Sequence, residues 1–108
     1  MEQALAALRE DFAASLPDRQ TALSAAWDAL DQNEWNPEDL NAAYHLVHSL
    51  AGAAETFGFS DLGVAARALN GHLHGIVSSP QQSPEARGEA ARLYQDLATA
   101  LTAAQAGR

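Results

Sequence analysis

Apolar residues recur at steps of three and four along almost the entire chain, and this spacing is the strongest constraint on its fold. Such spacing places apolar side chains on one face of an α-helix, whereas a half-buried strand alternates apolar and polar residues. No segment of the sequence shows that alternation or an enrichment in β-branched residues. The chain is therefore predicted to be all-α, and its 108 residues are enough for one domain with one core.

Proline and capping residues divide this pattern into five predicted helices. The first covers about 2–15 and ends before Pro17, which begins a second helix that runs to about Asp31. The third begins after Asn36, a favourable N-cap residue, and ends near Gly58. The apolar stripe of the first helix consists of Leu5, Leu8, Phe12 and Leu16.

The remaining sequence predicts two more helices and completes the expected fold. The fourth helix begins at Ser60, the stretch SSPQQSPE at 78–85 is a loop, and the last helix begins near Pro84 and frays toward Gly107. Residues 1–108 are thus predicted to form a single antiparallel four-helix bundle of up-down-up-down topology. An additional short N-terminal helix is expected to pack across one end.

Charge and composition exclude several classes of partner. Fourteen acidic residues against six arginines, with no lysine, give a net charge of −8, which disfavours phosphate backbones and anionic membrane surfaces. No apolar run approaches the ~20 residues of a membrane span, and the N-terminus lacks the basic start of a secretion signal. Cysteine is absent, so disulfides and thiolate chemistry are excluded. We expect a cytoplasmic protein with no nucleic acid or membrane partner.

One histidine of the third predicted helix lies among unusually small residues. Projection at about 100° per residue places one strip opposite the large apolar side chains; the strip consists of Asn41, His45, His48, Gly52 and Glu55. His48 is therefore predicted to point outward or lie at the edge of the core, with Ala51 and Gly52 one turn further along. Glycine inside a helix costs about 1 kcal/mol relative to alanine. This cost suggests that Gly52 has a specific role. It either lets another large surface approach His48 or permits tight packing between helices.

The histidines of this strip could in principle accept a phosphoryl group or bind a metal ion. An ordinary imidazole is largely unprotonated near pH 7 and can accept a phosphoryl group on a ring nitrogen. A metal site is not predicted: His45 and His48 have a spacing that two ligands can share, but no cysteine or suitably placed carboxylate completes the set. His72 and His74 point about 200° apart on a helix and cannot chelate together.

The stretch HSLAGAAETFGFSDLGVAARALNGHL, residues 48–73, resembles the core of the histidine-containing phosphotransfer (HPt) domain family. The family pattern has a histidine, a leucine two residues later, a glycine four residues later followed by a small pair, and a further glycine. The next helix carries leucine and an acidic or amide residue. The residues in matching places are His48, Leu50, Gly52, Ala53, Ala54, Phe57, Gly58, Leu62, Ala66, Leu69 and Asn70.

This resemblance implies a four-helix bundle that carries phosphoryl groups and is not a stand-alone kinase. Such a carrier takes the group from an aspartyl phosphate on a receiver domain and passes it to another receiver aspartate. The resemblance makes His48 the phosphoacceptor, with no cofactor of its own and with magnesium in the partner receiver. The implied partners are response-regulator receiver domains and a hybrid histidine kinase, and the chain is expected to be a monomer.

Ala51 departs from the family pattern, which usually has a lysine at this place to steady the phosphoryl oxygens. Arg67 is the best candidate for a replacement cation, and it shares one strip of the fourth predicted helix with Asn70 and His74 that could face His48. Asn70 stands where the family often has a glutamine or glutamate that bonds the imidazole nitrogen opposite the reactive one. All three supporting residues are also compatible with an ordinary polar surface.

The predicted docking surface for a receiver consists of His45, Ala51, Gly52 and Glu55. A net charge of −8 does not exclude docking, because local charge patches steer association more than the total charge does. Two alternatives stay open. One is a phosphorylation-silent adaptor that binds receivers through a degenerate site; the other is an unrelated structural or dimerising helical bundle.

Overall fold

Four helices make up the described part of the protein, which in this computed structural model comprises residues 2–78 and 83–106. The helices are α1 (Glu2–Gln32), α2 (Pro37–Thr56), α3 (Ser60–Val77) and α4 (Pro84–Ala106). Each helix packs against the next, and α4 closes the arrangement against α1. The predicted all-α bundle is confirmed. The middle of the predicted loop, 79–82, and the predicted fraying at Gly107 lie outside the described residues.

A single helix, α1, takes the place of the two N-terminal helices that the sequence predicts. Pro17 lies inside it, although an internal proline removes a backbone donor and costs about 3 kcal/mol. Phe12 and Leu16 before the proline, and Leu23 and Trp27 after it, are buried in the same core. Because tertiary burial outweighs the local signal, the chain remains helical through Pro17. The predicted separate short helix is therefore wrong.

The N-terminal turns of α1 contribute less to the core than predicted. Leu5 and Leu8 are 55% and 53% exposed, whereas Phe12 is buried. Arg9 contacts the end of α2 instead, where its Nε donates a hydrogen bond to the Phe57 carbonyl at 2.8 Å. This guanidinium satisfies a C-terminal carbonyl of a helix that has no basic residue in its own last turn.

Local signals define both ends of α2, as predicted. The Asn36 side chain accepts a hydrogen bond from the Asp39 N–H at 2.8 Å, and Pro37 occupies the first turn. Gly58, just beyond the other end, has a φ of +78°, in the left-handed region that favours glycine. A Cβ at Gly58 would also lie 2.6 Å from Nη2 of Arg9, so a larger residue there would displace the flexible end of the Arg9 side chain.

Aliphatic side chains, one phenylalanine and two tryptophans fill the core. Trp27 stacks on Tyr94 with 4.4 Å between ring centroids and meets Trp35 edge-on at 5.6 Å. The most deeply buried large side chains are Leu16, Leu30, Val47, Leu62, Leu69, Leu73, Leu97 and Leu101. No polar or charged residue within 2–78 and 83–106 is classed as buried, and no helix in these ranges is long and apolar enough to cross a membrane. Polar chemistry therefore lies on the helix surfaces.

Candidate functional site

His48 lies near the middle of α2 with its side chain exposed. The other members of the predicted strip are exposed too: Asn41, His45, Gly52 and Glu55. The neighbouring residue Val47 is fully buried, and Leu50 is 2% exposed, so the strip and the core occupy different faces. Within residues 2–78 and 83–106 the His48 ring makes no hydrogen bond, and its contact is with the Tyr44 ring. The outward orientation predicted for His48 is confirmed.

Gly52 leaves open space one turn from His48. A Cβ built at this position would have no neighbouring atom within 4 Å in the described part of the chain, outside the adjacent helix backbone. At the buried Gly63 of α3, by contrast, a Cβ would contact the Glu55 side chain at 3.5 Å. Tight helix packing therefore does not explain Gly52, and that interpretation is wrong. At Gly52 no side chain projects from the helix surface beside the imidazole.

Ala51 belongs to the core and not to the predicted docking surface. It is 8% exposed and packs in the core cluster with Leu50 and Ala54. A position three residues after His48 lies about 60° away around the helix, on the same side as Tyr44, and Tyr44 contacts α3. Ala51 therefore faces α3, and the open surface beside the imidazole is formed by Gly52 without Ala51.

Two other predicted site residues form an ion pair between α2 and α3. A guanidinium nitrogen of Arg67 contacts a carboxylate oxygen of Glu55. The two side chains remain 61% and 53% exposed, and exposed pairs of this kind contribute about 0–1 kcal/mol. Glu55 therefore balances the charge of Arg67, and this ion pair can be broken at a small cost in free energy.

Asn70 and His74 lie on the part of α3 that meets α2. The Tyr44 hydroxyl and Nδ1 of His74 share a hydrogen bond of 3.2 Å. Together with the ion pair described above, this contact shows that α2 and α3 run antiparallel, with Asn70 at about the level of His48 along the helices. The Oδ1 atom of Asn70 is buried and has no hydrogen-bond partner in the described part of the chain, so it does not hold the His48 ring in this structure.

Tyr44 is a further site residue, which the residue pattern alone does not identify. Its ring centroid lies 6.0 Å from that of His48, 5.6 Å from that of His45 and 5.9 Å from that of His74. One phenol ring therefore contacts three imidazoles. The i, i+4 spacing to His48 is a signal for the first of these contacts, whereas the contact with His74 depends on helix register.

Arg19 brings a second guanidinium to the opposite flank of α2. Its Nη1 donates to the Ser49 hydroxyl at 3.4 Å, and its Nε donates to the Ser15 hydroxyl at 3.0 Å. The guanidinium carbon lies 5.3 Å from the centroid of the Phe12 ring. Over the described ranges Arg19 has no ion pair with a carboxylate. Its positive charge beside Ser49, the residue that follows His48, is therefore not balanced by an acidic partner within these ranges.

Comparison with known proteins identifies the family. Residues 7–107 match the family described as the Hpt domain, a match that includes all of α2, α3 and α4 and most of α1. Searches of the curated proteins and of the solved structures found no significant match. Members of the matched family are phosphoryl carriers of two-component phosphorelays, and the exposed histidine on α2 is consistent with that role. The chain belongs to the Hpt domain family.

Proposed function

We propose that this chain is a histidine phosphotransfer protein in which His48 accepts a phosphoryl group from a receiver aspartate and passes it to another receiver. The observation that carries the proposal is the exposed His48 ring beside the open space at Gly52. Both residues belong to a 20-residue helix that is held by a packed core. A nucleophile on such a rigid element needs little reorganisation before it reacts.

The transfer exchanges a P–O bond for a P–N bond. The lone pair of one His48 ring nitrogen attacks the phosphorus of the aspartyl phosphate. The bond to the aspartate oxygen breaks, and the carboxylate leaves with the electron pair. Attack by the carboxylate of a second receiver on the phosphohistidine reverses this exchange. The receiver's acidic pocket and magnesium supply the electrostatic stabilisation, so we infer no cofactor for this chain.

Receivers dock over the exposed surface around His48. His45, Gly52 and Glu55 flank the imidazole on α2 and are exposed, and the absence of a side chain at Gly52 allows the receiver pocket to descend onto the ring. We infer that the partners are response-regulator receivers and a hybrid histidine kinase. A monomeric chain in the cytoplasm is consistent with this role.

Arg67 and Asn70 support the phosphorylated state. Phosphoryl oxygens carry more negative charge than a carboxylate, so they can compete with Glu55 for the Arg67 guanidinium. This competition compensates in part for Ala51, where the family has a lysine. The Oδ1 of Asn70, which has no hydrogen-bond partner among the described residues, is an acceptor at about the level of His48 for the ring N–H opposite the reactive nitrogen.

A phosphorylation-silent adaptor is the second candidate. The observations that favour it are Ala51 in place of the usual lysine and the pairing of Arg67 with Glu55, which together leave no uncommitted cation at the α3 side of His48 in the described residues. Such an adaptor would bind receivers through the same exposed surface.

Incubation with a phosphorylated receiver domain separates these candidates. Label on this chain that is lost in acid and retained in alkali supports phosphotransfer through histidine. Receiver binding without label supports the adaptor. If the chain neither binds the receiver nor takes up label, it is a helical bundle that takes no part in a relay, and the proposal is refuted.

Gly52→Gln is expected to slow phosphoryl transfer about tenfold or more, because the new side chain occupies the space through which the receiver approaches. The same change should raise the free energy of unfolding by about 0.5–1 kcal/mol, since it removes the helix cost of glycine. Transfer kinetics and urea unfolding measure the two effects. Gly88→Gln on α4 is the matched control, because a Cβ there also has no neighbouring atom within 4 Å among the residues that the structure describes. Equal transfer by the two variants would overturn the steric explanation of Gly52.

Glu55→Gln is expected to lengthen the lifetime of the phosphohistidine about threefold. The change releases Arg67 from its ion pair and removes a negative charge near the phosphoryl oxygens, effects that are each worth up to about 1 kcal/mol at an exposed site. Loss of label over time from the purified phosphoprotein measures the lifetime. Glu85→Gln on α4 removes the same charge from another helix and should leave the lifetime unchanged. A Glu55→Gln lifetime no longer than that of wild type would contradict the role given to Arg67.

A further inference from the structure

Tyr44 connects the His48 ring to α3. The two rings lie 6.0 Å apart at an angle of 36°, within the range of packed aromatic rings. The Tyr44 hydroxyl shares a 3.2 Å hydrogen bond with Nδ1 of His74, and the body of the ring packs against the core cluster. Tyr44 is therefore held by the core and by α3 while it contacts the imidazole.

The direction of the His48 ring matters for the proposed transfer. Histidine on a helix occupies mainly two χ1 wells, and in-line attack requires one ring nitrogen to face the phosphorus. A misplacement of about 1 Å can cost about 100-fold in rate. The His48 ring makes no hydrogen bond within residues 2–78 and 83–106, and Asn70 Oδ1 is unpartnered. Hydrogen bonding therefore does not set the direction of the unphosphorylated ring.

Tyr44 and Gly52 lie on opposite sides of His48 around α2. Each is about 40° from His48 in projection, with Tyr44 toward α3 and Gly52 on the other side. A bulky ring thus blocks one side of the imidazole, and a glycine leaves the other side open. The His45 ring also contacts the Tyr44 ring, with 5.6 Å between the ring centroids.

We propose that Tyr44 is a positioning residue that directs the His48 ring toward the open side, and that His74 acts through Tyr44 by holding its hydroxyl. This inference rests on the proposed function, because it concerns the readiness of His48 to attack. A tyrosine hydroxyl both donates and accepts hydrogen bonds, so it can pair with Nδ1 of His74 in either protonation state of that ring.

Single-turnover transfer from a phosphorylated receiver tests the inference with graded variants. Tyr44→Leu removes the ring and should lower the rate at saturating receiver about tenfold. Tyr44→Phe keeps the ring, and it should lower the rate about threefold, as should His74→Gln. The double variant should be no slower than either single one, because both changes break the same hydrogen bond. The receiver concentration at half-maximal rate should stay within about twofold of wild type.

NMR of the His48 ring provides a readout that does not depend on transfer. In Tyr44→Leu the ring proton signals of His48 should move toward those of a freely rotating histidine, while circular dichroism shows an intact helical fold. Leu46→Ala is a matched control, since Leu46 is 36% exposed and lies about 160° around α2 from His48. It should change neither the rate nor the ring signals.

Unchanged His48 ring signals in Tyr44→Leu would overturn the inference. A loss seen only as a higher half-saturating receiver concentration would also overturn it, because Tyr44 would then act in docking. A wild-type chain that takes up no label refutes the proposed function instead. The NMR comparison would still decide whether Tyr44 directs the ring.

Discussion

Replacement of His48 by glutamine is expected to abolish phosphoryl uptake from a phosphorylated receiver. Glutamine has a size and polarity close to those of histidine, but its amide has no nucleophilic nitrogen lone pair. Because His48 is exposed, the free energy of unfolding should change by no more than about 0.5 kcal/mol. Acid-labile label on the chain and urea unfolding measure these two properties, and receiver binding should remain within a few-fold of wild type.

His45→Gln provides the matched control for this experiment. His45 lies one turn from His48 on the same exposed strip of α2, so its replacement changes the surface in a similar way. This variant should still take up label when the receiver is saturating, because His45 belongs to the proposed docking surface and supplies no reacting atom. Label that persists in His48→Gln, or that disappears equally in His45→Gln, would contradict the assignment of the phosphoacceptor.

Leu69→Ala is expected to lower the free energy of unfolding by about 2–5 kcal/mol. Leu69 is fully buried on α3, and truncation removes apolar contacts and leaves a cavity between the helices. Domains of this kind have a total stability of roughly 5–15 kcal/mol, so the loss is a large fraction of the whole. Urea unfolding monitored by circular dichroism measures it.

Val64→Ala is the control for that substitution on the same helix. Val64 is 64% exposed, so its truncation should change the free energy of unfolding by no more than about 0.5 kcal/mol. Similar losses for Leu69→Ala and Val64→Ala would show that the bundle does not have the core described here.

The ends of α2 could be predicted because their signals are local. Asn36 caps a backbone N–H three residues away, and Gly58 adopts a backbone conformation that few other residues tolerate. The end of α1 could not be predicted in this way. Pro17 is a strong local helix breaker, but the buried residues on both sides of it belong to one core. A local sequence pattern does not show this tertiary packing.

The strip around His48 could likewise be predicted from helical projection, and its exposure is confirmed. Projection does not show where neighbouring helices lie, so it assigned Ala51 to the open surface although this residue faces α3. The pairing of Arg67 with Glu55 and the contact of Tyr44 with His74 depend on the register of two helices. A single sequence contains no direct measure of that register.

The state of each histidine ring during transfer tests the central claim most directly. The chain contains four histidines, so a sample labelled with ¹⁵N only in histidine gives a small set of ring signals that single substitutions can assign. When phosphorylated receiver is added, we predict a large shift of one ring nitrogen of His48, while His45, His72 and His74 keep theirs. A phosphorylation shift in any other ring, or transfer of label to the chain with the His48 ring unchanged, would contradict the assignment of His48 as the phosphoryl carrier.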